Sequence, residues 1–234
     1  MSKEICCNMI VFMNVSVALI TGGTRGIGFA TALKLKEFGI STVVCSRTAP
    51  IHNEPGLDYI ICDVSIKTDV AQMFARIKKN YGHLDILVNN AAHMKVTKLE
   101  EVCEEDAELT MRTNVYGAMF CMQEALPILS RNGIIINLIS SCVEGGRNGQ
   151  SMYGASKAAL STMSDCFALE IRDANKEISV VKVMPRRTMT GMRLQNFPNE
   201  DHEDCLQPED VASVIATIAK SRDNNVTVPC VKVI

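Results

Sequence analysis

The 234-residue sequence has no tryptophan and only 5% aromatic residues, and none of its apolar runs approaches the ~20 residues that a membrane-crossing helix needs. No membrane partner is expected. Charge of one sign is also missing: 24 Lys and Arg stand against 26 Asp and Glu, a formal net charge of -2, and the basic residues are scattered rather than gathered into a stripe that could follow phosphates. Nucleic acid is not an expected partner either. Histidine is sparse, and His52, His83, His93 and His202 are scattered across loops without the spacing of metal ligands. The 10 cysteines form no CxxC pair, and several, such as Cys45, Cys62 and Cys121, lie inside apolar runs. They read as reduced, buried small hydrophobes and not as metal ligands, which points to a reducing, cytoplasmic setting. Met1 to Phe12 is mildly apolar but carries Lys3, Glu4 and Asn8, so residues 1–14 are expected to be a mobile extension and not a signal peptide.

What is present is 47% hydrophobic and 21% charged sequence, enough for one sizeable globular core. Short apolar, β-rich runs recur: Val17 to Thr21, Thr42 to Ser46, Tyr59 to Asp63, Ile86 to Asn90, Ile134 to Ser140, Ser179 to Pro185 and Val226 to Val233. They lack alternation, the signature of parallel strands covered on both faces. Between most of them lie segments long enough for crossover helices: Ile27 to Phe38, Val70 to Tyr81, Glu104 to Leu129, Tyr153 to Asn175 and Pro208 to Lys220. The pattern predicts an α/β fold, one Rossmann-type doubly wound parallel sheet of about seven strands with helices on both faces, occupying residues 15–234 as a single domain. Arg47 to Asp58 is too short and too rich in Pro and Gly for a helix, so a loop or single turn is expected there. Asn199 to Asp204 is a short acidic stretch expected in a surface loop.

Directly after the first strand comes Thr21-Gly22-Gly23-Thr24-Arg25-Gly26-Ile27-Gly28, followed at once by a helical pattern. Glycines at a strand-to-helix turn permit a tight bend, let backbone N–H groups approach a pyrophosphate and let the helix pack against the strand. The anion then sits at the positive end of the helix. Further along, Tyr153 and Lys157 are four apart, so on a helix they share a face. An ammonium beside a phenol favours the phenolate and lowers its pKa, which suits the phenol to trade protons with a carbonyl or an alcohol. Ser140, 13 residues before Tyr153, closes a strand at the end where open α/β sheets bind ligands, and its hydroxyl can stabilise a developing oxyanion. Ser141 is its neighbour and rival.

The spacing TGxxxGxG resembles the classical short-chain dehydrogenase/reductase family. Other landmarks of that family follow in order: Asp63-Val64, Asn89-Asn90-Ala91-Ala92, Asn114, Ser140 and Tyr153-Gly154-Ala155-Ser156-Lys157. The resemblance runs from Val15 onward and favours Ser140 over Ser141. It implies a nicotinamide cofactor held by Gly22, Thr24, Arg25, Gly26, Ile27 and Gly28, by Ser46 and Arg47, by Asp63 at the adenine amino group with Val64, by Asn90 and Ala91, by Tyr153 and Lys157, and by Pro185, Thr188 and Thr190. It also implies that Asn114 holds a water linking Lys157 to solvent. Two positions depart from the pattern: Ala92 stands for a glycine, and Arg186 follows Pro185 where the family usually has glycine.

The second strand ends Val44-Cys45-Ser46-Arg47-Thr48, with no acid until Glu54 to hold a ribose 2′-hydroxyl, whereas Arg47 and Arg25 can grip the 2′-phosphate of NADP(H). The reading is an NADPH-dependent reductase of a small-molecule ketone, aldehyde or 3-oxoacyl compound. The alternative is a catalytically silent NADP-binding redox sensor or scaffold. Substrate choice is assigned to loops holding His93, Met94, Val143, Glu144 and Arg147 and to a lid over Met192 to Asp204. The general resemblance is to 3-oxoacyl-carrier-protein reductases, where Arg131 is a candidate for a carrier-protein surface. By resemblance the chain is expected to form a homotetramer or homodimer through the helices at Glu104 to Leu129 and Tyr153 to Asn175.

Overall fold

A computed structural model describes residues 15–50, 53–174, 176–221 and 230–234. The expected mobile extension 1–14, His52, the end of one helix at Asn175 and the start of the last strand at Val226 lie outside the described residues. Seven strands, β1 (Val17–Thr21), β2 (Ser41–Ser46), β3 (Leu57–Ile61), β4 (Leu84–Asn89), β5 (Leu129–Leu138), β6 (Ser179–Pro185) and β7 (Cys230–Val233), form one sheet in the order β3-β2-β1-β4-β5-β6-β7. All the pairings are parallel, with β1 set against β2 on one side (Leu19 opposite Val43) and β4 on the other (Leu19 opposite Leu87). The strand order reverses between β1 and β4, so the crevice beyond their C-terminal ends is the place where such sheets bind ligands.

The apolar runs lie in the sheet because both faces are covered. On one face α1 (Gly26–Glu37) and α7 (Pro208–Ser221) bring Ala32, Leu35, Val211 and Ile215 onto Ile20, Val44, Ile86 and Ile136. On the other, α2 (Lys67–Tyr81), α4 (Gly117–Ala125) and α5 (Ser151–Asp173) bring Phe74, Ile77, Cys121 and Ile171 onto Leu19, Val43, Leu87 and Ile135. Each such Leu, Ile or Phe contributes about 1.5–3 kcal/mol by leaving water. At the strands' N-terminal end the buried Asp85 accepts from Val17 N at 2.7 Å and from Ser130 Oγ at 2.6 Å, tying β1, β4 and β5 together. Nearer the site, Asn89 Nδ2 donates to Asn137 Oδ1 at 2.8 Å, and Asn137 Nδ2 donates to Ser164 Oγ at 2.9 Å. This polar ladder crosses two strands into α5 and satisfies Asn89 Nδ2 and the Asn137 amide, which would be costly to bury alone, while the buried Asn89 Oδ1 has no partner among the described residues.

Two segments depart from the sequence pattern. The helix expected over Glu104 to Leu129 is broken into α3 (Glu104–Met111), a π turn (Arg112–Tyr116) and α4, and Leu129 already belongs to β5. A π turn carries one residue more than the α-helical ring and is typical of functional sites. Asn114 sits inside it. The second departure is α6 (Gly191–Asn196), a short helix within the expected lid. Arg47 to Asp58 carries no helix among its described residues, as its composition predicts.

Candidate active site

The glycine turn joins β1 to α1 in the crevice. Gly22 and Gly26 have φ of +64° and +54°, a region that side chains strain to enter, and a Cβ at Gly28 would stand 2.4 Å from both Asn90 Nδ2 and Gly22 O. Asn90 locks the turn: its Nδ2 donates to Thr21 O at 2.8 Å and Gly22 O at 3.1 Å, while Asn90 N and Ala91 N both donate to Thr21 Oγ1 at 3.0 Å. The N-cap of α1 is Arg25, no side chain caps that end, and its first turn holds no acid. Its N–H groups therefore remain available to a phosphate, and the residues present fit a dinucleotide there.

Ser140, Tyr153 and Lys157 come together below the end of β5. Ser140 Oγ accepts from Cys142 N at 3.3 Å, capping a short 3₁₀ turn, and lies near enough to the Tyr153 phenol to favour its ionised form. The buried Lys157 donates to Leu138 O at 2.7 Å and lies 5.9 Å from the Tyr153 ring centre. Burial brings the Lys157 pKa down to about 8. The phenol differs from the sequence expectation. Burial pushes it above its usual value, with Cys142 adding to the rise, and the groups that draw it back are Ser140 and Arg147, not Lys157. Desolvation outweighs the cation in this crevice, so the phenol is held protonated.

Asn114 makes no direct bond to Lys157. Its Oδ1 accepts from His93 N at 2.7 Å, and its Nδ2 donates to His93 O at 2.9 Å and Ser156 Oγ at 2.8 Å. Ser156 in turn donates to Tyr153 O at 2.7 Å. The π turn thus pins the loop after β4 to the helix that carries Tyr153. Ser156 escaped the sequence reading as a participant because a serine in YxxSK has no local sign of a partner 42 positions away.

Around the rim, the half-buried Asp63 accepts through Oδ1 from Ser65 N at 2.9 Å and Ser65 Oγ at 2.7 Å, which orients its carboxylate, and Val64 beside it is buried. Ser46 Oγ donates to Thr48 O at 2.5 Å. Arg25 and Arg47 are exposed and neither makes an ion pair with a described residue, and Arg47 lies close enough to His93 to act on its imidazole. After Pro185, Arg186 is exposed with its N–H bonded to Val233 O at 3.1 Å, so the residue in place of glycine sends its side chain outward. Thr188 is buried and donates to Arg186 O at 3.0 Å. Thr190 Oγ1 caps α6 by accepting from Arg193 N at 3.2 Å, and its methyl lies 3.2 Å from where a Gly26 Cβ would be. The glycine turn and the loop after β6 therefore face each other across the crevice. Thr24, Ile27 and Ala92 are half-buried along it.

The lid carries residues that the sequence reading named only as part of a range. Asn196 reaches back to the loop after β4, and Glu200 pairs with Arg187 at 3.2 Å and with Arg193. Arg131 lies elsewhere: it opens β5 at the far end of the strand from Ser140 and is tied to Glu177 at 2.8 Å. Among the described residues no group of three or more His, Cys, Asp or Glu could hold a metal ion, and no helix is long and apolar enough to cross a membrane.

Residues 16–201 match the family model described as short chain dehydrogenase. The 3-oxoacyl-[acyl-carrier-protein] reductase FabG of Thermotoga maritima is 30% identical over 231 residues, covering 90% of this chain and 93% of that protein. The 2,3-dihydro-2,3-dihydroxybenzoate dehydrogenase of Escherichia coli is 27% identical, covering 89% and 91%. Among solved structures, the ligand-free aldohexose dehydrogenase of Thermoplasma acidophilum superposes with a TM-score of 0.84 at 24% identity, over 94% of this chain and 92% of that one, a likeness of fold.

Proposed function

The chain belongs to the short-chain dehydrogenase family and is an oxidoreductase of the nicotinamide-dependent kind, and we propose that it is an NADPH-dependent reductase of a small-molecule carbonyl compound, with residues 15–234 as its catalytic domain. The observation that carries the reading is the convergence of Ser140, Tyr153 and Lys157 beside an uncapped helix N-terminus at the sheet's switch point. When bound, the cofactor supplies a hydride, two electrons, to the carbonyl carbon. Tyr153, held protonated by burial, gives the carbonyl oxygen the proton that completes the alcohol. Ser140 holds that oxygen as charge develops, and Lys157 fixes the ribose and resupplies the proton. Asn114 keeps the π turn and the His93 loop in place, and by the family resemblance it also holds the relay water that links Lys157 to solvent.

Gly22, Thr24, Gly26, Ile27 and Gly28 form the pyrophosphate cradle, and Asp63, Val64, Asn90 and Ala91 line the adenosine side. The 2′-phosphate falls to Arg25, Ser46 and Arg47, since the glycine turn and the end of β2 each offer a cation with no ion-pair partner among the described residues, and no acid follows β2 until Glu54. Pro185, Thr188 and Thr190 border the nicotinamide. The silent-sensor alternative lost its sequence support from Ala92 and Arg186, because neither removes a polar group from the crevice. Homo-oligomerisation through the π turn, α4 and α5 is part of the proposal, supported by Tyr116 of the π turn and Leu169 of α5, which are 46% and 50% exposed. A cytoplasmic setting is supported by eight free thiols among the described cysteines. The test is NADPH oxidation by the purified protein against a panel of ketones, aldehydes and 3-oxoacyl thioesters. Turnover of at least one class is expected, and none with any compound would overturn the reading.

A further inference from the structure

The loop between Ser140 and Tyr153 carries one cation, Arg147, that has no ion-pair partner among the described residues and is held next to Ser140. Arg147 Nη2 donates to Ser141 Oγ at 2.9 Å, next to Ser140, and Arg147 O accepts from Gln150 N at 3.1 Å as the loop turns into α5. The guanidinium is near enough to act electrostatically on the Tyr153 phenol. The acid of the same loop is engaged elsewhere: Glu144 pairs with Lys232. Arg147 makes no ion pair with a described residue. The loop itself is held, since Gly149 O accepts from Thr97 N at 2.9 Å and Gly149 stands with φ of +70°. Lys157 adds a second positive charge behind the phenol. The loop after β5 therefore carries positive charge next to Ser140, with one guanidinium oriented by a serine and its remaining donors without a partner among the described residues.

A guanidinium presents a planar fork that matches a carboxylate, and a site that builds in such a fork discriminates for the charged group. We propose that Arg147 is a specificity residue and that the substrate is a carbonyl compound bearing a carboxylate, an oxo acid. The inference rests on the carbonyl-reductase reading and narrows its substrate class. Anchoring the carboxylate at Arg147 holds the carbonyl against Ser140 and Tyr153, and it neutralises a cation that otherwise favours the phenolate over the proton-donating phenol.

The experiment compares linear oxo acids of increasing length with their methyl esters, using NADPH and the full-length protein, in wild type, Arg147→Gln and Arg147→Lys. For at least one length the wild type is expected to favour the acid by about 10-fold or more in kcat/KM, mainly through KM, as a charge-assisted contact allows. Arg147→Gln should erase that preference, lowering kcat/KM for the acid far more than for the ester, and Arg147→Lys should restore part of it. Equal use of acid and ester by the wild type, or equal loss of both in Arg147→Gln, overturns the proposal. If neither compound turns over, the reductase reading fails and the binding arm decides: with NADPH present, hexanoate should raise the Tm of the wild type but not of Arg147→Gln, and no shift in either overturns the assignment.

Discussion

Asn196 in α6 and Val96 in the loop after β4 stand 100 positions apart in the chain, and the Asn196 Oδ1 accepts the Val96 N–H at 3.0 Å. The same side chain donates to Met192 O at 2.9 Å and Met94 O at 3.3 Å. One amide therefore latches the lid to the opposite wall of the substrate crevice. Its four hydrogen-bonding positions are unusually well used for a residue on a short helix.

The first prediction is that Asn196→Ala loosens the lid. Each hydrogen bond lost contributes on the order of 0.5–1.5 kcal/mol, so KM for the carbonyl substrate should rise by about 5- to 30-fold while kcat changes less. Steady-state kinetics beside a thermal melt checks this. A lower Tm with unchanged KM would make Asn196 a stability residue alone.

Tyr153→Phe is expected to lower kcat by at least ~100-fold, the scale of a lost general acid, while NADPH still binds. The ring stays and only the transferable proton goes. Cofactor binding followed by nicotinamide fluorescence separates the two functions. Retention of most turnover would move the acid role elsewhere.

The sheet was legible in the sequence because buried parallel strands announce themselves as unbroken apolar runs, and the bounds of β1 and β6 could be read directly. So was the glycine turn, whose residues act through local backbone geometry. The π turn was not legible: nothing in Glu104 to Leu129 marks the extra residue, because its reason is the bond between Asn114 and His93, 21 positions away. Asn196 and Ser156 were hidden in the same way, each defined by a partner distant in sequence. The Tyr153 phenol was misjudged for a different reason. The four-residue spacing brings Lys157 near it, but spacing says nothing of desolvation, and burial is the larger influence on both groups.

A third prediction follows from Lys157, whose pKa burial lowers to about 8. The depressed value means that the ammonium is present below about pH 8 and lost above it. If the charged form holds the ribose, NADPH affinity should be flat below pH 7.5 and fall progressively above 8. Lys157→Arg, charged throughout this range, should flatten the alkaline side at lower overall turnover. Fluorescence titrations from pH 6.5 to 9.5 decide it, and a wild-type affinity constant across that span would sink the idea.

The oligomer prediction is that the protein in solution is a homodimer or homotetramer paired through α4 and α5. Tyr116→Arg and Leu169→Arg together would place cations on two exposed apolar residues, one at the end of the π turn and one on α5. Light scattering should show the wild type at two or four times the chain mass and the double variant shifted toward the monomer. A wild-type protein that stays monomeric at micromolar concentration contradicts it.

The last prediction concerns cofactor choice. Arg47 follows β2, is exposed and lies near His93, while Arg25 stands at the N-cap position of α1 in the glycine turn. If the pair receives the 2′-phosphate, NADPH should exceed NADH in kcat/KM by a margin of about 1.5–3 kcal/mol, or ~10- to 150-fold. Arg47→Ala should erase most of that margin and leave NADH use nearly unchanged, because NADH has no phosphate to lose. Salt should weaken NADPH binding more than NADH binding, since the contact is exposed and screened. Comparable use of the two cofactors by the wild type, or an Arg47→Ala variant impaired equally with both, would make these arginines surface residues and leave the end of β2 without a role in discrimination.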